Sequence, residues 1–467
     1  MGCPICWAGF QDAQDFFFAP KTDASIIQAG YLEYEQKGNI LQVAMIPCKH
    51  NLYLCAMAKE SSIQLFPPHL RAIAEALEAI FQDGGYADKV IEHTLKADKR
   101  RGARDRAFIA ENVYEIVRWY RLLYTLRGGE PRKHQDWWEM IGIRYIIDGL
   151  SLPPWREFKR LDATKIQQQY RRIKEERKIR ESIPDWLDQL GESELGDQWE
   201  TSLRALNQAA KVVLRVNHIK SSREGLQQML AKDGVQTQPK GEESLVVTER
   251  KNLFRTEAFR QGMFEVQDYS SQQVAPFCDV KPGMRVVDAC AGGGGKSLHL
   301  ATLMQNKGTV LSLDTGAWKL QELKKRARRN GIHIIETRPI ESTKVVKRLK
   351  ESADRLLLDV PCSGLGVLRR NPDAKWKLSP GFIESVKETQ QDILQRYSRM
   401  VKPGGKLIYA TCSILPSENQ EQVATFLASE AGKPFQLEED RAILPQDEGF
   451  DGFYMARLVK AEKQEEE

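Results

Sequence analysis

The chain has 467 residues, with 69 Lys and Arg against 64 Asp and Glu and a formal net charge of +5. No apolar run approaches the roughly 20 residues of a membrane span, which excludes an integral membrane protein. The chain lacks the basic and apolar regions of a signal peptide at its start, and its eight cysteines are too scattered for a disulfide framework. The composition therefore predicts a cytoplasmic globular protein of about three domains.

Residues 1–60 differ from the rest of the chain, since they hold half of its cysteines, and are interpreted as a leader. Thiolates and imidazoles at short spacing suit tetrahedral zinc, so a zinc site is the alternative. The gap between Cys6 and Cys48 is long for a compact knuckle, which favours the leader, with Met57 as the natural start. We therefore expect no metal at the functional centre. The residues considered for zinc are Cys3, Cys6, Cys48, His50 and Cys55.

Residues 61–180 have the pattern of an all-α domain. Apolar residues recur at helical spacing over residues 70–81, which predicts a first helix, and the Asp-Gly-Gly turn at 83–85 ends it. The same spacing predicts a second helix from Val90 and a third over residues 108–123.

Basic side chains crowd into two clusters of this helical region. Such runs are usually solvated helix faces, and Glu175 with Glu176 partly neutralises the second cluster, between Arg156 and Arg180. The first cluster has fewer compensating acids, so we interpret it as a surface that contacts RNA phosphates. It consists of Lys99, Arg100, Arg101, Arg104, Arg106, Arg118, Arg121, Arg127, Arg132 and Lys133.

Residues 181–265 mix helix and strand signals and are interpreted as a connecting subdomain. Strand and helix patterns then alternate over residues 266–460, which predicts an α/β domain with a doubly wound, mostly parallel sheet. Ligands of such sheets bind at the carboxyl ends of the strands. The predicted strands are Arg285–Asp288, Thr309–Asp314, His333–Ile335, Leu356–Asp359 and Lys406–Ala410.

A glycine loop (residues 288–297) lies between the first of these strands and the next helix. Its end, Gly-Lys-Ser, suggests a phosphate-binding P-loop, but that pattern requires glycine where this chain has Cys290. A dinucleotide fingerprint is formally hard to exclude within a run of glycines and is weak evidence. The loop therefore indicates close approach of a ligand to the backbone without identifying that ligand.

Three carboxylates narrow the choice of ligand. Asp288, Asp314 and Asp359 each end a predicted strand, and an acid at the second strand end can accept the hydroxyls of a ribose. A single strand-end Asp often only caps a turn, but three together make that explanation insufficient. Carboxylates repel a polyphosphate and attract the sulfonium and ammonium of S-adenosylmethionine, which we predict as the cofactor.

Two cysteines follow the fourth and fifth predicted strands. Cys362 and Cys412 each leave a strand end for a polar turn, whereas an average free cysteine is a buried, inert hydrophobe. A thiolate that adds to carbon-6 of a pyrimidine makes carbon-5 nucleophilic enough to attack a sulfonium methyl group. Lys296 can lower the pKa of such a thiol or stabilise negative charge on the base. Spacing alone does not decide which cysteine is the nucleophile.

Six motifs follow one another in a recognisable order: LRVN (214–217), FEVQDYSSQ (264–272), DACAGGGGKS (288–297), LLLDVPCSGLGVLRRNPDAKW (356–376), YATCSILPSENQEQ (409–422) and DGFYMARL (451–458). Through them residues 65–460 resemble the RsmB (Fmu/Sun) family of RNA cytosine-5 methyltransferases. The resemblance implies a Rossmann-like catalytic domain preceded by a NusB-like RNA-binding domain. It implies that Cys412 is the nucleophile and that Cys362 assists breakdown of the covalent adduct. It places the cofactor on Cys290, Ala291, Gly292, Gly293, Gly294, Gly295, Lys296, Asp314 and Asp359.

The chain departs from the family pattern at two places. The family loop reads Cys-Ala-Ala-Pro-Gly-Gly-Lys, and here Gly292 and Gly293 replace Ala and Pro. This makes the loop more flexible and is expected to weaken cofactor binding, because ordering a glycine costs more conformational entropy. A further family acid is expected to contact the adenine after the third strand, where the segment offers only Glu336 as a stand-in.

The sequence thus predicts an S-adenosylmethionine-dependent RNA methyltransferase that makes 5-methylcytosine, with 16S ribosomal RNA as the substrate implied by the resemblance. The target base must be unstacked to reach Cys412. A transfer RNA is the alternative substrate for the same chemistry. A ribosome-assembly factor that binds RNA without catalysis is the alternative from another class, and the intact Cys362, Cys412, Lys296, Asp314 and Asp359 argue against it.

Overall fold

The computed structural model describes residues 65–249 and 251–462. None of the helices in these two ranges is long and apolar enough to cross a membrane. The predicted leader and the residues considered for zinc lie outside the described residues. The division of the remaining chain at residues 180 and 265 stays a prediction.

The chain from Pro67 to Leu206 is helical, as predicted for its N-terminal part, whereas the NusB-like identity of this region stays a prediction. Leu70 and Leu77 of the first helix are fully buried, because their spacing puts them on one face. The predicted third helix is interrupted at Trp119, whose φ of −103° and ψ of 20° are not helical, and no Gly or Pro marks this break. The helices are α1 (Pro67–Phe81), α2 (Ala87–Ala97), α3 (Ala103–Arg118), α4 (Tyr120–Arg127), α5 (His134–Ile147), α6 (Ala163–Ile173), α7 (Arg177–Arg180), α8 (Asp185–Leu195) and α9 (Gln198–Leu206).

A small antiparallel sheet comes next in the chain, with strand order β2-β3-β1-β4. Its central strand β1 pairs with both neighbours, and Arg215 lies directly opposite Glu265 of β4. Leu214 and Val216 of β1 pack with Leu226 of the adjacent helix in a separate apolar core. The elements are β1 (Val212–Val216), α10 (Arg223–Lys232), β2 (Thr237–Lys240), β3 (Ser244–Val247), α11 (Glu257–Arg260) and β4 (Phe264–Val266).

The large sheet has seven strands in the order β10-β11-β9-β8-β5-β6-β7. The strands from β9 to β7 are parallel, and β11 and β10 join them in antiparallel orientation. Apolar cores cover both faces of the sheet, which confirms the predicted doubly wound α/β domain. Its elements are α12 (Tyr269–Gln272), α13 (Val274–Phe277), β5 (Arg285–Asp288), α14 (Gly295–Leu303), β6 (Thr309–Asp314), α15 (Ala317–Asn330), β7 (Ile335–Pro339), α16 (Thr343–Arg348), β8 (Ala353–Asp359), α17 (Ala374–Lys377), α18 (Pro380–Tyr397), β9 (Val401–Thr411), α19 (Gln420–Ala428), β10 (Phe435–Ile443), α20 (Pro445–Glu448) and β11 (Phe453–Lys460).

The strand prediction differs from the structure at the two edges of this sheet. β7 begins at Ile335, two residues later than the predicted start at His333. The antiparallel strands β10 and β11 were not predicted. β7 alternates between half-buried and exposed side chains, and β10 is exposed at six of its nine positions, so both edge strands carry little of the apolar signal on which a strand prediction rests.

Candidate active site

The predicted acids meet at one edge of the large sheet. β5 ends at Asp288, β6 at Asp314 and β8 at Asp359, and all three strands run parallel. β5 lies between β6 and β8, so the strands that follow β5 in the chain are added first on one side of it and then on the other. At such a switch point the connections leave in opposite directions, which opens a crevice at the carboxyl ends of the strands. The structure therefore brings together the three carboxylates that the sequence singled out.

The glycine loop turns sharply between β5 and α14. Gly292 and Gly294 adopt φ angles of 54° and 85°, in the left-handed region where a side chain is strained. A Cβ atom on Gly294 would also overlap the side chain of Leu323 of α15. The backbone can therefore approach a ligand at this turn. Position 294 requires glycine, because its φ is left-handed and because a Cβ there would overlap Leu323.

Asp314 is held in the crevice by three donors. Its Oδ2 accepts the N–H of Gly292 at 2.9 Å, and its Oδ1 accepts the N–H of Gly316 at 2.7 Å. Lys319 Nζ lies 3.3 Å from Oδ1. A carboxylate offers about four acceptor sites, so this arrangement fixes the orientation of Asp314 and leaves acceptor capacity for the hydroxyls of a ribose.

Asp288 is fully buried, and only one of its oxygens is satisfied within the described residues. Ser297 Oγ donates to Oδ2 at 2.6 Å, while Oδ1 is buried without a partner. Burial raises the pKa of Asp288 to about 7, and the neighbouring charge of Asp359 adds to the rise. An orphaned carboxylate oxygen, two further acids and a concave glycine loop fit a cationic adenosyl cofactor and disfavour a polyphosphate.

Cys290 belongs to the glycine loop but is not set up as a nucleophile. Burial, together with the charges of Asp288, Asp314 and Asp359, raises the pKa of its thiol well above the ordinary value. Cys278, which precedes β5, is buried, and burial likewise raises the pKa of its thiol. Both therefore remain thiols, and reactivity depends on thiolate.

The two cysteines singled out by the sequence lie side by side. Cys362 follows β8 and Cys412 follows β9, and these strands pair in parallel with Asp359 opposite Ala410. The Sγ atoms of Cys362 and Cys412 are 3.3 Å apart, so one proton can be shared between them. Cys362 is buried, whereas Cys412 is partly exposed and is the thiol that a molecule in the crevice can reach.

Lys296 supplies a positive charge beside the thiol pair. It is the second residue of α14, and its Nζ lies 2.6 Å from Asp359 Oδ2. Burial acts to lower the pKa of Lys296, but the attraction of Asp359 and the further contributions of Cys412 and Asp288 raise it above the ordinary value. Lys296 is therefore a permanent cation that links the acids of the crevice to the thiols.

Glu418 is a site residue that the sequence reasoning missed. Its buried carboxylate accepts the N–H of Ser363 at 2.7 Å, the hydroxyl of Ser413 at 2.6 Å and the side-chain amide of Gln390 at 3.1 Å. The hydroxyl of Ser363 also donates to it. Because Ser363 and Ser413 directly follow the two cysteines, one carboxylate fixes both cysteine turns. The sequence feature that could have identified Glu418 is its place within the motif at residues 409–422, six residues after Cys412.

Glu336 does not lie where the family acid was expected. It is the second residue of β7, pairs in register with Leu311 and is exposed, whereas ligands bind beyond the carboxyl end of the strand at Pro339. This position gives Glu336 no support as a stand-in, and its contact with the adenine is not established. The acid that follows β7 is Glu341. It was not considered, because the third strand was predicted to end at Ile335 and not at Pro339.

Part of the first basic cluster is not available to RNA. Arg118 is buried and donates to main-chain carbonyl oxygens. Arg121 pairs with Asp185 at 2.9 Å. Arg127 pairs with Glu139 at 3.0 Å. Arg118 is therefore inaccessible to a phosphate in the folded chain, whereas a phosphate-contacting role of the half-buried, paired Arg121 and Arg127 stays a prediction. The exposed members that remain candidates are Lys99, Arg100, Arg104, Arg132 and Lys133.

The described residues contain no group of three or more His, Cys, Asp or Glu side chains arranged to hold a metal ion. The crevice itself presents thiols, carboxylates and Lys296. All of these lie on segments at or directly after the ends of strands β5, β6, β8 and β9.

Comparison with known proteins shows which proteins this chain is similar to. A family model described as 16S rRNA methyltransferase RsmB/F matches residues 277–459, and one described as the ferredoxin-like domain of RsmF/B-like methyltransferases matches residues 183–253. The chain is 34% identical over 438 residues to a Synechocystis protein named Probable ribosomal RNA small subunit methyltransferase B, covering 82% of this chain and 98% of that protein.

Two solved structures are similar to the described fold. The crystal structure of PH0851 is 26% identical, covers 86% of this chain and 100% of its own, and superposes with a TM-score of 0.70. The structure of NSun6 from Pyrococcus horikoshii with SFG is 20% identical, covers 61% of this chain and 100% of its own, and has a TM-score of 0.55. The second likeness concerns the fold alone.

Proposed function

Because this chain belongs to the RsmB/F family of S-adenosylmethionine-dependent 16S rRNA methyltransferases, we propose that it methylates carbon-5 of a cytosine in 16S ribosomal RNA through a covalent cysteine adduct. The observation that carries the proposal is the pair of thiols, Cys362 and Cys412, with sulfur atoms 3.3 Å apart at the carboxyl ends of adjacent parallel strands. Methyl transfer to an oxygen or an exocyclic nitrogen does not need such a pair.

We assign Cys412 as the nucleophile, because it is the more exposed thiol and matches the family's nucleophile by resemblance. Its thiolate bonds to carbon-6 of the cytosine, and the electron pair of the 5,6 double bond moves so that carbon-5 becomes nucleophilic. Cys362 keeps the shared proton at this stage. Lys296 stabilises the negative charge at the thiolate and Asp359 holds Lys296 in place.

Bound S-adenosylmethionine would supply a sulfonium methyl group, which the nucleophilic carbon-5 would accept as the methyl–sulfur bond breaks. Carbon-5 then carries both a methyl group and a proton, and the proton must leave before the ring recovers its double bond. We assign Cys362 to this step: after losing its own proton to water, it takes the carbon-5 proton. The carbon-6 bond breaks, and Cys412 leaves as a thiolate.

The cofactor would be held by residues that the chain already fixes. Asp314 would accept ribose hydroxyls, the backbone of the glycine loop would approach the adenosyl group, and the acidic crevice would attract its two cationic groups. A base stacked in an A-form helix cannot reach Cys412, so the RNA must present its target cytosine unstacked. The exposed basic residues of the helical region are proposed to hold flanking phosphates.

Bisulfite sequencing of ribosomal and transfer RNA from cells with and without the gene tests this proposal. We expect loss of one 5-methylcytosine signal from 16S rRNA, restored by the wild-type gene and not by a Cys412→Ala variant. Loss confined to transfer RNA would select that substrate instead. Unchanged 5-methylcytosine in both RNAs would reject the proposed reaction.

A further inference from the structure

Two guanidinium groups, one buried (Arg215) and one half-buried (Arg326), hold the glycine loop. Arg326 of α15 donates from Nη1 to the carbonyl oxygen of Gly293 at 2.7 Å. Arg215 of β1, in the small sheet, donates from Nη1 to the carbonyl oxygen of Gly295, also at 2.7 Å. Both acceptors belong to the run of four glycines, and both donors come from elements distant in the chain.

One buried carboxylate, Glu265, pairs with Arg326 and faces Arg215 across the strand pair, while Arg215 also donates to Gln267. Glu265 of β4 is almost fully buried, and its Oε2 accepts from Arg326 Nη2 at 2.8 Å. It also pairs with Arg329, one helical turn further along α15, and lies directly opposite Arg215 in the strand register. Burial acts to raise the pKa of Glu265, but the charges of Arg326, Arg329 and Arg215 lower it to about 2. Glu265 is therefore ionised whenever the chain is folded at neutral pH.

The loop of this chain requires such support. Residues 292–295 are four consecutive glycines, so the free loop has many conformations to lose when it is ordered. Hydrogen bonds from a charged donor to a carbonyl are among the stronger ones, and two of them act on this short segment. They fix the carbonyls of Gly293 and Gly295, while the N–H of Gly292 donates to Asp314 on the crevice side.

We propose that Arg215, Arg326 and Glu265 form a brace that sets the affinity for S-adenosylmethionine by ordering the glycine loop, so that the small sheet is part of the cofactor site. Arg215 and Arg326 are positioning residues, since they touch the loop and not the reacting atoms. The inference concerns cofactor affinity and does not depend on which base is methylated.

Arg329 provides a matched control for Arg326. Both are on α15 and both pair with Glu265, but within the described contacts only Arg326 also reaches a loop carbonyl. Replacing either one with Gln leaves Glu265 paired with the other, so neither variant leaves the buried carboxylate of Glu265 without an ion pair. A difference between the two variants therefore reports the contact with Gly293 and not the loss of one positive charge.

Isothermal titration of the full-length protein with S-adenosylhomocysteine tests the brace. Arg326→Gln is expected to raise the dissociation constant about tenfold, and Arg329→Gln by no more than about twofold. Arg326→Lys, which keeps the charge and one donor, is expected to fall between them. The brace is rejected if Arg326→Gln binds like the wild type or if both Gln variants weaken binding equally. A wild type that binds no cofactor would instead contradict the proposed function.

Two further measurements separate loop ordering from general destabilisation. Hydrogen–deuterium exchange of peptides covering residues 288–297 in the cofactor-free protein is expected to be faster in Arg326→Gln and unchanged in Arg329→Gln. In steady-state methylation, Arg326→Gln is expected to raise KM for the cofactor while kcat and KM for RNA stay close to those of the wild type. A fall in kcat with an unchanged cofactor KM would assign Arg326 a merely structural role.

Discussion

Replacing Glu418 with Gln is expected to remove a pH dependence of about 3 kcal/mol from the free energy of unfolding. Burial raises the pKa of Glu418 from its ordinary value of 4.5 to about 7, and the charge of Cys362 adds to the rise. Each pKa unit corresponds to about 1.4 kcal/mol, which gives the figure of about 3 kcal/mol. Between these two pKa values the folded chain holds a proton that the unfolded chain has released. The free energy of unfolding contributed by Glu418 therefore falls as the pH rises from about 4.5 to about 7. Above about pH 7 this contribution of about 3 kcal/mol is lost.

Gln keeps the size of Glu and one acceptor oxygen, so it changes the hydrogen bonds of Ser363 and Ser413 by an amount that does not depend on pH. Urea unfolding at about pH 5 and pH 8 separates this constant offset from the titrating contribution. The wild type should lose about 2–3 kcal/mol more than Glu418→Gln between these conditions, because pH 5 already lies slightly inside the titration window. Glu421→Gln, at an exposed position of the same segment, is the control and should behave like the wild type. Equal pH dependence in wild type and Glu418→Gln would refute the reasoning.

Three further predictions concern the crevice. Cys412→Ala should lower methylation by more than about 1,000-fold while RNA binding in a filter assay is retained, because the adduct cannot form. Asp314→Asn should weaken S-adenosylhomocysteine binding in calorimetry about tenfold, since the amide loses the acceptor capacity for ribose hydroxyls; wild-type affinity would remove Asp314 from the cofactor site. Gly294→Ala should cost about 2–4 kcal/mol of stability, because its φ is left-handed and its Cβ meets Leu323; an unchanged melting temperature would contradict this.

Local patterns were sufficient to predict the parts of the site that lie at strand ends. Asp288, Asp314 and Asp359 could be located because each closes an apolar run, and parallel strands carry their carboxyl ends to one edge. Cys362 and Cys412 could be expected near each other for the same reason. Their different roles do not follow from spacing and depend on the family resemblance.

The contacts that fix the site could not be predicted in this way, because they join segments far apart in the chain. Arg215 and Gly295 are 80 residues apart, and the sequence around Arg215 does not indicate that its side chain donates to a carbonyl of the glycine loop. Arg118 looked like a surface cation because two of its partners, the main-chain carbonyls of Leu206 and Arg369, are supplied by distant segments that bury it. The break at Trp119 is likewise accompanied by a contact from far along the chain, since the N–H of Arg121, just after the break, donates to Ser182 Oγ, 61 residues away.

The central claim is that Cys412 forms the covalent bond to a cytosine and that Cys362 is needed to release it. The most direct measurement uses a Cys362→Ala variant incubated with 16S rRNA and S-adenosylmethionine, followed by nuclease and protease digestion and mass spectrometry of the adduct. We expect a peptide in which Cys412 carries a 5-methylcytosine nucleotide, and no adduct in the Cys362→Ala, Cys412→Ala double variant. An adduct on another residue, or methylated RNA released by the double variant, would contradict the account.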